Sequence, residues 1–439
     1  MSQARVLGPA TRLRGQIQLP GDKSISHRAL LLAAMAEGQS RIFGRAPGED
    51  QEAMVRCLGA LGVSIRDSAP ETSPAGGPPL PLTIVVGSGL RGLRQPTSEL
   101  DCGNSGATMR FLMGALAGIP GLEARLVGDA SLSRRPMERV AAPLRRMGAE
   151  VETAPGGVPP LVVHGAELRG ATHELDVASA QVKTAILLAA LNARGKTVIR
   201  EPAFSRDHTE RILARLGVQI HFHEECWLEP PARLPAFTET VPGDPSSAAF
   251  WAVLAAIHPD AELTLRGVCV NPSRNGYSRV LSRMGARIDV RNVRDVDGEP
   301  VADLVVRSAR LSAVDITPEE VPALLDEIPV LALAAARADG ESHFRGLREL
   351  RIKEVDRLRA IAEELGKMGG VVEVLESDLF IGGGVELQGA HVDSRGDHRM
   401  AMMLAVAATT AHGDTELDGA DAAAVSYPRF FDQLQDIVD

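Results

Sequence analysis

Aromatic residues make up only 3% of the 439 positions. That is too few for the stacking platforms that grip single-stranded nucleic acid. Positive charge is not in excess either: 47 lysines and arginines face 57 aspartates and glutamates, a net charge of −10. A nucleic-acid partner calls for a basic face, so none is expected. The four cysteines, Cys57, Cys102, Cys226 and Cys269, are far apart and form no CxxC or Cys/His cluster; this excludes a zinc pattern and gives no disulfide framework. No apolar run approaches a membrane span, and Met1 to Val6 lacks the apolar core of a secretion signal, so no membrane partner and a cytoplasmic location are expected. Neither GxGxxG after a strand nor GxxxxGK followed by Ser or Thr occurs, which removes the two common glycine-rich phosphate cradles. What is present, 44% hydrophobic and 24% charged residues, describes a globular chain long enough for two or three domains. Local basic spots in an acidic chain suit a small anionic ligand.

The chain is organised around Leu19-Pro20-Gly21-Asp22-Lys23-Ser24-Ile25-Ser26-His27-Arg28, which runs into the apolar segment Ala29 to Ala36. Pro-Gly ends one element, Asp22, Ser24 and Ser26 are good N-cap types, and the Ala/Leu run is helical by propensity. A helix start carries unpaired N–H groups and partial positive charge, to which Lys23 and Arg28 add two full charges. Two readings stand level on this stretch alone: a phosphate or carboxylate site, and an ordinary capped helix with solvated charges.

A run ending in Leu or Met, then Gly, then a β-prone stretch recurs at Leu61-Gly62, Met147-Gly148, Leu216-Gly217, Met284-Gly285 and Met368-Gly369. Glycine there is the expected helix C-cap. Ala/Leu-rich helices are predicted at about 29–36, 110–117, 182–191, 248–257, 328–336 and 400–410. Each is followed by a short strand, at 41–43, 122–127, 197–200, 262–266, 342–344 and 415–417. The chain therefore reads as six copies of a helix–strand–helix–strand unit repeating every ~70 residues, three in each of two similar domains, with Val241-Pro242-Gly243-Asp244-Pro245 as the crossover. Helices so rich in alanine suggest close packing inside each domain, not a doubly wound sheet. Stretches 68–81 and 154–160, rich in Pro and Gly, read as exposed loops.

A polar cluster precedes each of these helices: Lys23-Ser24, Asn104-Ser105-Gly106, Ser179-Ala180-Gln181, Ser246-Ser247, Asp326-Glu327 and Asp397-His398-Arg399. If the repeats superpose, several helix dipoles aim at one anion-binding space. The plain alternative is capping, and it is preferred for Ser246-Ser247. Elsewhere the accompanying cations, Arg110, Arg134, Arg135, Arg206, Lys353, Arg357 and Arg399, favour a polyanionic ligand, whereas Arg145, Arg146 and Arg291 read as surface charges. Asp326 lies in an apolar setting where a bare carboxylate is costly. Glu354 lies between Lys353 and Arg357. A carboxylate pair among cations suits proton transfer; a helix laced with weak ion pairs accounts equally for the second segment.

The stretches LPGDKSISHRALLLAA, GNSGATMR, RRPM, ASAQVKTAILLA, SRDHTERIL, DEIPVLALAAA, RIKEVDRL and GDHRMAM together resemble the ordered signatures of the 5-enolpyruvylshikimate-3-phosphate synthase family, over nearly the whole chain. The resemblance implies an α/β fold of two similar domains, each an inside-out α/β barrel of three βαβαββ repeats, with the active site in the interdomain cleft. It implies a discontinuous domain of 1–20 with 241–439 and a continuous one of 21–240. The implied reaction is transfer of the enolpyruvyl group of phosphoenolpyruvate to shikimate 3-phosphate with release of phosphate. The C–O bond breaks, so no metal or cofactor is expected.

Carried over residue by residue, Lys23, Ser24, Arg28, Ser179, Ala180, Gln181, Ser205, Arg206, Asp326 and Lys353 would hold shikimate 3-phosphate. Lys23, Asn104, Gly106, Arg135, Gln181, Arg357 and Arg399 would hold phosphoenolpyruvate. Asp326 would take the proton of the attacking 5-hydroxyl, and Glu354, with Lys23 assisting, would protonate the methylene carbon. The partners implied are these two small molecules only, with a monomeric protein. Ala107, Ala180, His208 and Val425 depart from the best-known members, in which the last two positions are tyrosine and lysine, and look like the family's second sequence class. The rivals are the sister transferase acting on UDP-N-acetylglucosamine, which uses a mobile-loop cysteine, and a non-catalytic anion-binding relative. Cys102, beside the GNSG motif, is expected to be merely a small buried residue.

Overall fold

The computed structural model describes residues 4–438. Residues 1–3 and 439 lie outside the described set, and with them the first half of the Met1 to Val6 stretch and both outer ends of the expected discontinuous domain.

The chain divides into two compact units, one of Met1–Pro20, Pro242–Arg294 and Pro300–Asp439, the other of Gly21–Val241 and Asp295–Glu299. This differs from the expected division in two places. Val241 belongs with the continuous unit, where its N–H extends the pairing of Thr238–Thr240 by donating to Phe43 O at 2.9 Å. Residues 295–299 join that unit too, and Glu299 there accepts from His208 Nδ1 at 2.7 Å.

Among the described residues the strands form six sheets, five of four strands and one of three, and one topology recurs. In the second repeat, Leu100–Asp101 leads through the helix Gly106–Ala117 to Glu123–Val127, then through Glu138–Met147 to the hairpin Glu150–Ala154 and Val158–His164. The first strand pairs parallel with the second, the second antiparallel with the fourth, and the fourth antiparallel with the third. Thr172–Leu228 and Asp315–Gly382 repeat the order. The remaining sheets borrow a strand from elsewhere in their own unit. Thr238–Thr240 supplies the parallel first strand for the sheet holding Glu37–Phe43. Leu13–Gln18 does the same for Ala261–Cys269. Arg5–Leu7 pairs antiparallel with Thr415–Asp418, in the place of a fourth strand. The repeat is thus βαβαββ, longer by two strands than the helix–strand–helix–strand unit legible from the pattern.

Within each repeat the first helix is inside and the sheet outside. Leu30–Ala36 and Ala334–Ala336 are wholly buried, which explains why these helices show no polar face. Alanine and glycine let their backbones approach closely: a Cβ at Gly114 would lie 2.1 Å from Ala185 O on the neighbouring helix. The second helix is amphipathic; Glu138–Met147 buries only Val140, Ala141, Leu144 and Met147. It ends on glycine, and Gly62, Gly148, Gly217, Gly285 and Gly369 all have φ between 82° and 108°, the left-handed cap expected of them.

Strands trim both expected loops from their ends, leaving 72–79 of the first and 155–157 of the second. Ser64–Glu71 and Leu80–Ser88 form a hairpin that leaves only 72–79 as loop, and Val158–His164 begins inside 154–160. Ser64–Glu71 is an exposed edge, so selection for apolar residues there is weak. Pro159 and Pro160 lie beyond the stretch, Leu161–His164, that pairs with Glu123–Val127, so they forfeit no ladder bond on that side.

Candidate active site

Five of the six inner helices begin earlier than their apolar runs suggest, and the fifth begins at Ile328 as expected, so the polar clusters lie in or beside the first turn. They start at Lys23, Gly106, Ala180, Pro245, Ile328 and His398. The caps explain the shift. Asp22 accepts from Ile25 N at 2.7 Å, Ser105 from Thr108 N at 3.2 Å, and Ser179 from Val182 N at 3.5 Å. Asp397 accepts from Arg399 N at 2.8 Å. Each such bond occupies one of the unpaired donors at a helix start and leaves the others for a ligand.

In the continuous unit the cations gather at three of these starts. Lys23 is ion-paired with Asp50, whose place at the start of the helix Glu49–Ala60 gave no signal in sequence. His27 knits this turn together: Nδ1 lies 2.8 Å from Lys23 O, while Nε2 lies 3.2 Å from Asp50 O and 3.3 Å from Ser105 Oγ. Burial holds its pKa down at about 4, despite the nearby Asp50 carboxylate. Arg28 is buried and donates to Thr209 Oγ1 at 2.7 Å, Ser24 O at 2.9 Å and Thr184 Oγ1 at 2.9 Å. Much of its donor capacity therefore ties helices together, a structural duty not apparent from the motif.

Arg206 Nη1 reaches Ser24 Oγ at 3.5 Å. Arg135 donates to Asn104 Oδ1 at 2.9 Å, and Asn104 in turn donates to Asp129 Oδ2 at 2.6 Å. Arg110 donates to Gln181 Oε1 and to Pro136 O. Gly106 faces both guanidinium groups: a Cβ there would sit 3.4 Å from Arg135 Nη1 and 3.6 Å from Arg110 Nη1. Ala180 offers only backbone. Ser205 is 3% exposed, and its hydroxyl makes no hydrogen bond among the described residues.

In the other unit, Asp326 sits in the turn Leu325–Glu327 that leads into the helix Ile328–Arg337. Three cations surround its carboxylate: Lys353 Nζ at 3.5 Å, Arg357 Nη1 at 3.7 Å and Arg399 Nη2 at 3.6 Å. Arg399 also donates to Asp326 O at 3.1 Å. Arg357, 1% exposed, is the hub, donating to Glu354 Oε2 at 2.5 Å and to Asp397 Oδ2 at 2.8 Å. Burial alone would lower its pKa, but Asp397, Glu354 and Asp326 outweigh that and hold it above the usual arginine value. Glu354 is not part of a helix laced with ion pairs: it lies between the turn Arg348–Ile352 and the helix Arg357–Lys367.

Ser246 and Ser247 are not the caps expected of them. Asp244 caps that helix, accepting from Ser246 N at 2.7 Å and Ser247 N at 3.4 Å. Ser246 Oγ instead donates to Glu327, and Arg274 donates to Ser246 Oγ at 2.9 Å and Asp244 Oδ1 at 3.2 Å. This buried group anchors the turn that presents Asp326. A signal existed: Pro242-Gly243-Asp244 repeats Pro20-Gly21-Asp22.

Cys102 is fully buried, and its thiol pKa is raised well above the usual value by a hydrogen bond with Cys57 and by burial. A protonated, inaccessible thiol does not fit the mobile-loop cysteine of the sister transferase.

The model of the family described as EPSP synthase (3-phosphoshikimate 1-carboxyvinyltransferase) matches residues 7–434. A 3-phosphoshikimate 1-carboxyvinyltransferase of Gloeobacter violaceus is 51% identical over 436 residues, covering 99% of each chain. One from a Roseiflexus species is 48% identical over 436 residues, covering 98% of each. Among solved structures, the EPSP synthase of Acinetobacter baumannii is similar with a TM-score of 0.85 and 37% identity, covering 99% of this chain and 98% of its own. The enolpyruvyl transferase NikO of Streptomyces tendae shares the fold at a TM-score of 0.79 and 20% identity, over 99% of this chain and 98% of its own. On this match over nearly its whole length, the chain belongs to the EPSP synthase (3-phosphoshikimate 1-carboxyvinyltransferase) family.

Proposed function

We propose that the chain transfers the enolpyruvyl group of phosphoenolpyruvate to the 5-hydroxyl of shikimate 3-phosphate, releasing phosphate, on the route to chorismate and the aromatic amino acids. The observation that carries the chemistry is the cluster in which Arg357 joins Glu354 to Asp397 and approaches Asp326, with Lys353 and Arg399 beside the same aspartate. Two carboxylates with such neighbours can exchange protons with a substrate whose phosphate and carboxylate the cations neutralise.

Asp326 takes the proton of the 5-hydroxyl as its oxygen bonds to C2 of phosphoenolpyruvate. Glu354, assisted by Lys23, delivers a proton to C3, turning the methylene into a methyl group. Loss of a proton from that methyl and departure of phosphate, with its bridging oxygen, restore the double bond. Carboxylates near C2 favour the positive charge that develops there when C3 is protonated.

Lys23, Ser24, Arg28, Ser179, Gln181, Ser205 and Arg206, with Asp326 and Lys353, hold shikimate 3-phosphate. Ala180 contributes a backbone N–H at most. Lys23, Asn104, Gly106, Arg135, Gln181, Arg357 and Arg399 hold phosphoenolpyruvate. The support is the concentration of arginine and lysine at helix starts, with Ser205 Oγ making no hydrogen bond among the described residues. The reading includes a cytoplasmic monomer; among the described residues no helix is long and apolar enough to cross a membrane.

The test is phosphate release from phosphoenolpyruvate with each of two acceptors. Turnover with shikimate 3-phosphate and none with UDP-N-acetylglucosamine is expected. The reverse pattern, or none with either, overturns the reading.

A further inference from the structure

Lys183 lies two residues beyond Gln181 and four beyond Ser179, in the helix Ala180–Ala190. The proton transfers and substrate contacts assigned to the other residues do not involve it. Its side chain is 2% exposed, and Nζ lies 2.8 Å from Glu201 Oε2 and 2.8 Å from Glu210 Oε1. It also donates to Ser205 O at 3.4 Å and lies 5.5 Å from the centroid of the Phe204 ring. One ammonium therefore meets three pieces of chain: the helix bearing Ser179 and Gln181, the stretch 201–206 bearing Ser205 and Arg206, and the helix His208–Arg215. The middle piece is neither helix nor strand, so no ladder fixes it.

Burial would lower the lysine's pKa, but Glu210 and Glu201 more than reverse this and keep it charged. Burial raises the pKa of Glu210. One cation between two buried carboxylates is an expensive way to fill space; apolar side chains of similar volume commonly do so at no loss of stability. What an apolar residue would not do is hold the Ser205 carbonyl, and with it the hydroxyl that makes no hydrogen bond among the described residues.

We propose that Lys183, through Glu201 and Glu210, is a positioning residue for shikimate 3-phosphate, fixing the Ser205–Arg206 segment against the helix that carries Ser179 and Gln181. The inference rests on the proposed substrate assignment and adds to it a specific division of effects between the two substrates.

The test uses full-length Lys183→Met and the milder Glu201→Gln, which leaves Lys183 paired with Glu210. Calorimetric titration with shikimate 3-phosphate and steady-state kinetics with both substrates are compared with the unsubstituted protein. Expected is a tenfold or greater weakening of shikimate 3-phosphate binding and the same rise in its KM. Both kcat and the KM for phosphoenolpyruvate stay within threefold. Should Lys183→Met fail to fold, Glu201→Gln carries the same expectation. Unchanged shikimate 3-phosphate affinity in a folded variant overturns the inference, as does an equal loss for both substrates, which marks a merely structural role. Turnover by the unsubstituted protein separates these results from failure of the substrate assignment, which would show as no turnover and take this inference with it.

Discussion

Glu354→Gln separates chemistry from architecture. Glu354 Oε2 accepts from Arg357 Nη2 at 2.5 Å, and the side chain is 19% exposed. Glutamine has the same shape and keeps an amide oxygen for Arg357, so a charge-assisted hydrogen bond becomes an ordinary one. Arg357 retains Asp397 at 2.8 Å. The structural loss is the difference between a charged and a neutral hydrogen bond, about 1 kcal/mol, and the melting temperature should fall by about 2 °C or less for a chain of this size. What glutamine cannot do is give a proton to carbon. Losing a general acid costs roughly 10²- to 10⁴-fold in rate, so kcat should drop at least a hundredfold. Shikimate 3-phosphate affinity, measured by calorimetry, should stay within twofold. Turnover within threefold of the unsubstituted protein would refute the proton-transfer role.

Three further outcomes follow from particular contacts. Arg399→Ala removes a guanidinium that lies beside Asp326 and is proposed to bind phosphoenolpyruvate, and should weaken that binding by about 1.5–3 kcal/mol; unchanged affinity in calorimetry with shikimate 3-phosphate present contradicts this. Gly114→Ala would set a Cβ 2.1 Å from Ala185 O, a backbone atom that cannot swing away, and should cost about 3 kcal/mol or more; an unchanged denaturant midpoint would show that the helices part easily. His27 has a folded pKa of about 4 against an ordinary 6.5, because burial disfavours its charged form. The unfolded chain therefore binds a proton first as pH falls below 6.5, and stability is lost from there towards pH 4 at up to about 1.4 kcal/mol per pH unit. Denaturation curves from pH 7 to 4.5 should show the slope, and His27→Gln should flatten it.

How much of the fold and site is legible in the sequence depends on range. The five glycines from Gly62 to Gly369 announce their helix ends, because a left-handed cap is a local requirement that almost only glycine meets without strain. The inner helices are legible too, but for all except Ile328–Arg337 the apolar runs place their starts too late. The first turn is set instead by Asp22, Ser105, Ser179 and Asp397 closing on the N–H groups just ahead. Sheet closure is not legible. Nothing near Leu13–Gln18 says that it pairs with Ala261–Cys269, nor near Arg5–Leu7 that it pairs with Thr415–Asp418, since local pattern carries no register for distant strands. The motif segments Lys23 to Arg28 and Asp397 to Arg399 point to anion binding. Their supports Asp50, Arg274 and Lys183 do not show, and Glu327 shows only as part of a polar cluster, because a buried charged residue looks in sequence like a solvated one until its partners are placed.

The proposed reaction breaks the bond between the enolpyruvyl carbon and the phosphate oxygen, and labelling the bridging oxygen of phosphoenolpyruvate with ¹⁸O reads that cleavage. In the presence of shikimate 3-phosphate, mass spectrometry of the products should find the label in the released phosphate and none in the carboxyvinyl ether. Label retained on the three-carbon fragment would mean that the P–O bond had broken, and it would contradict proton transfer by Asp326 and Glu354.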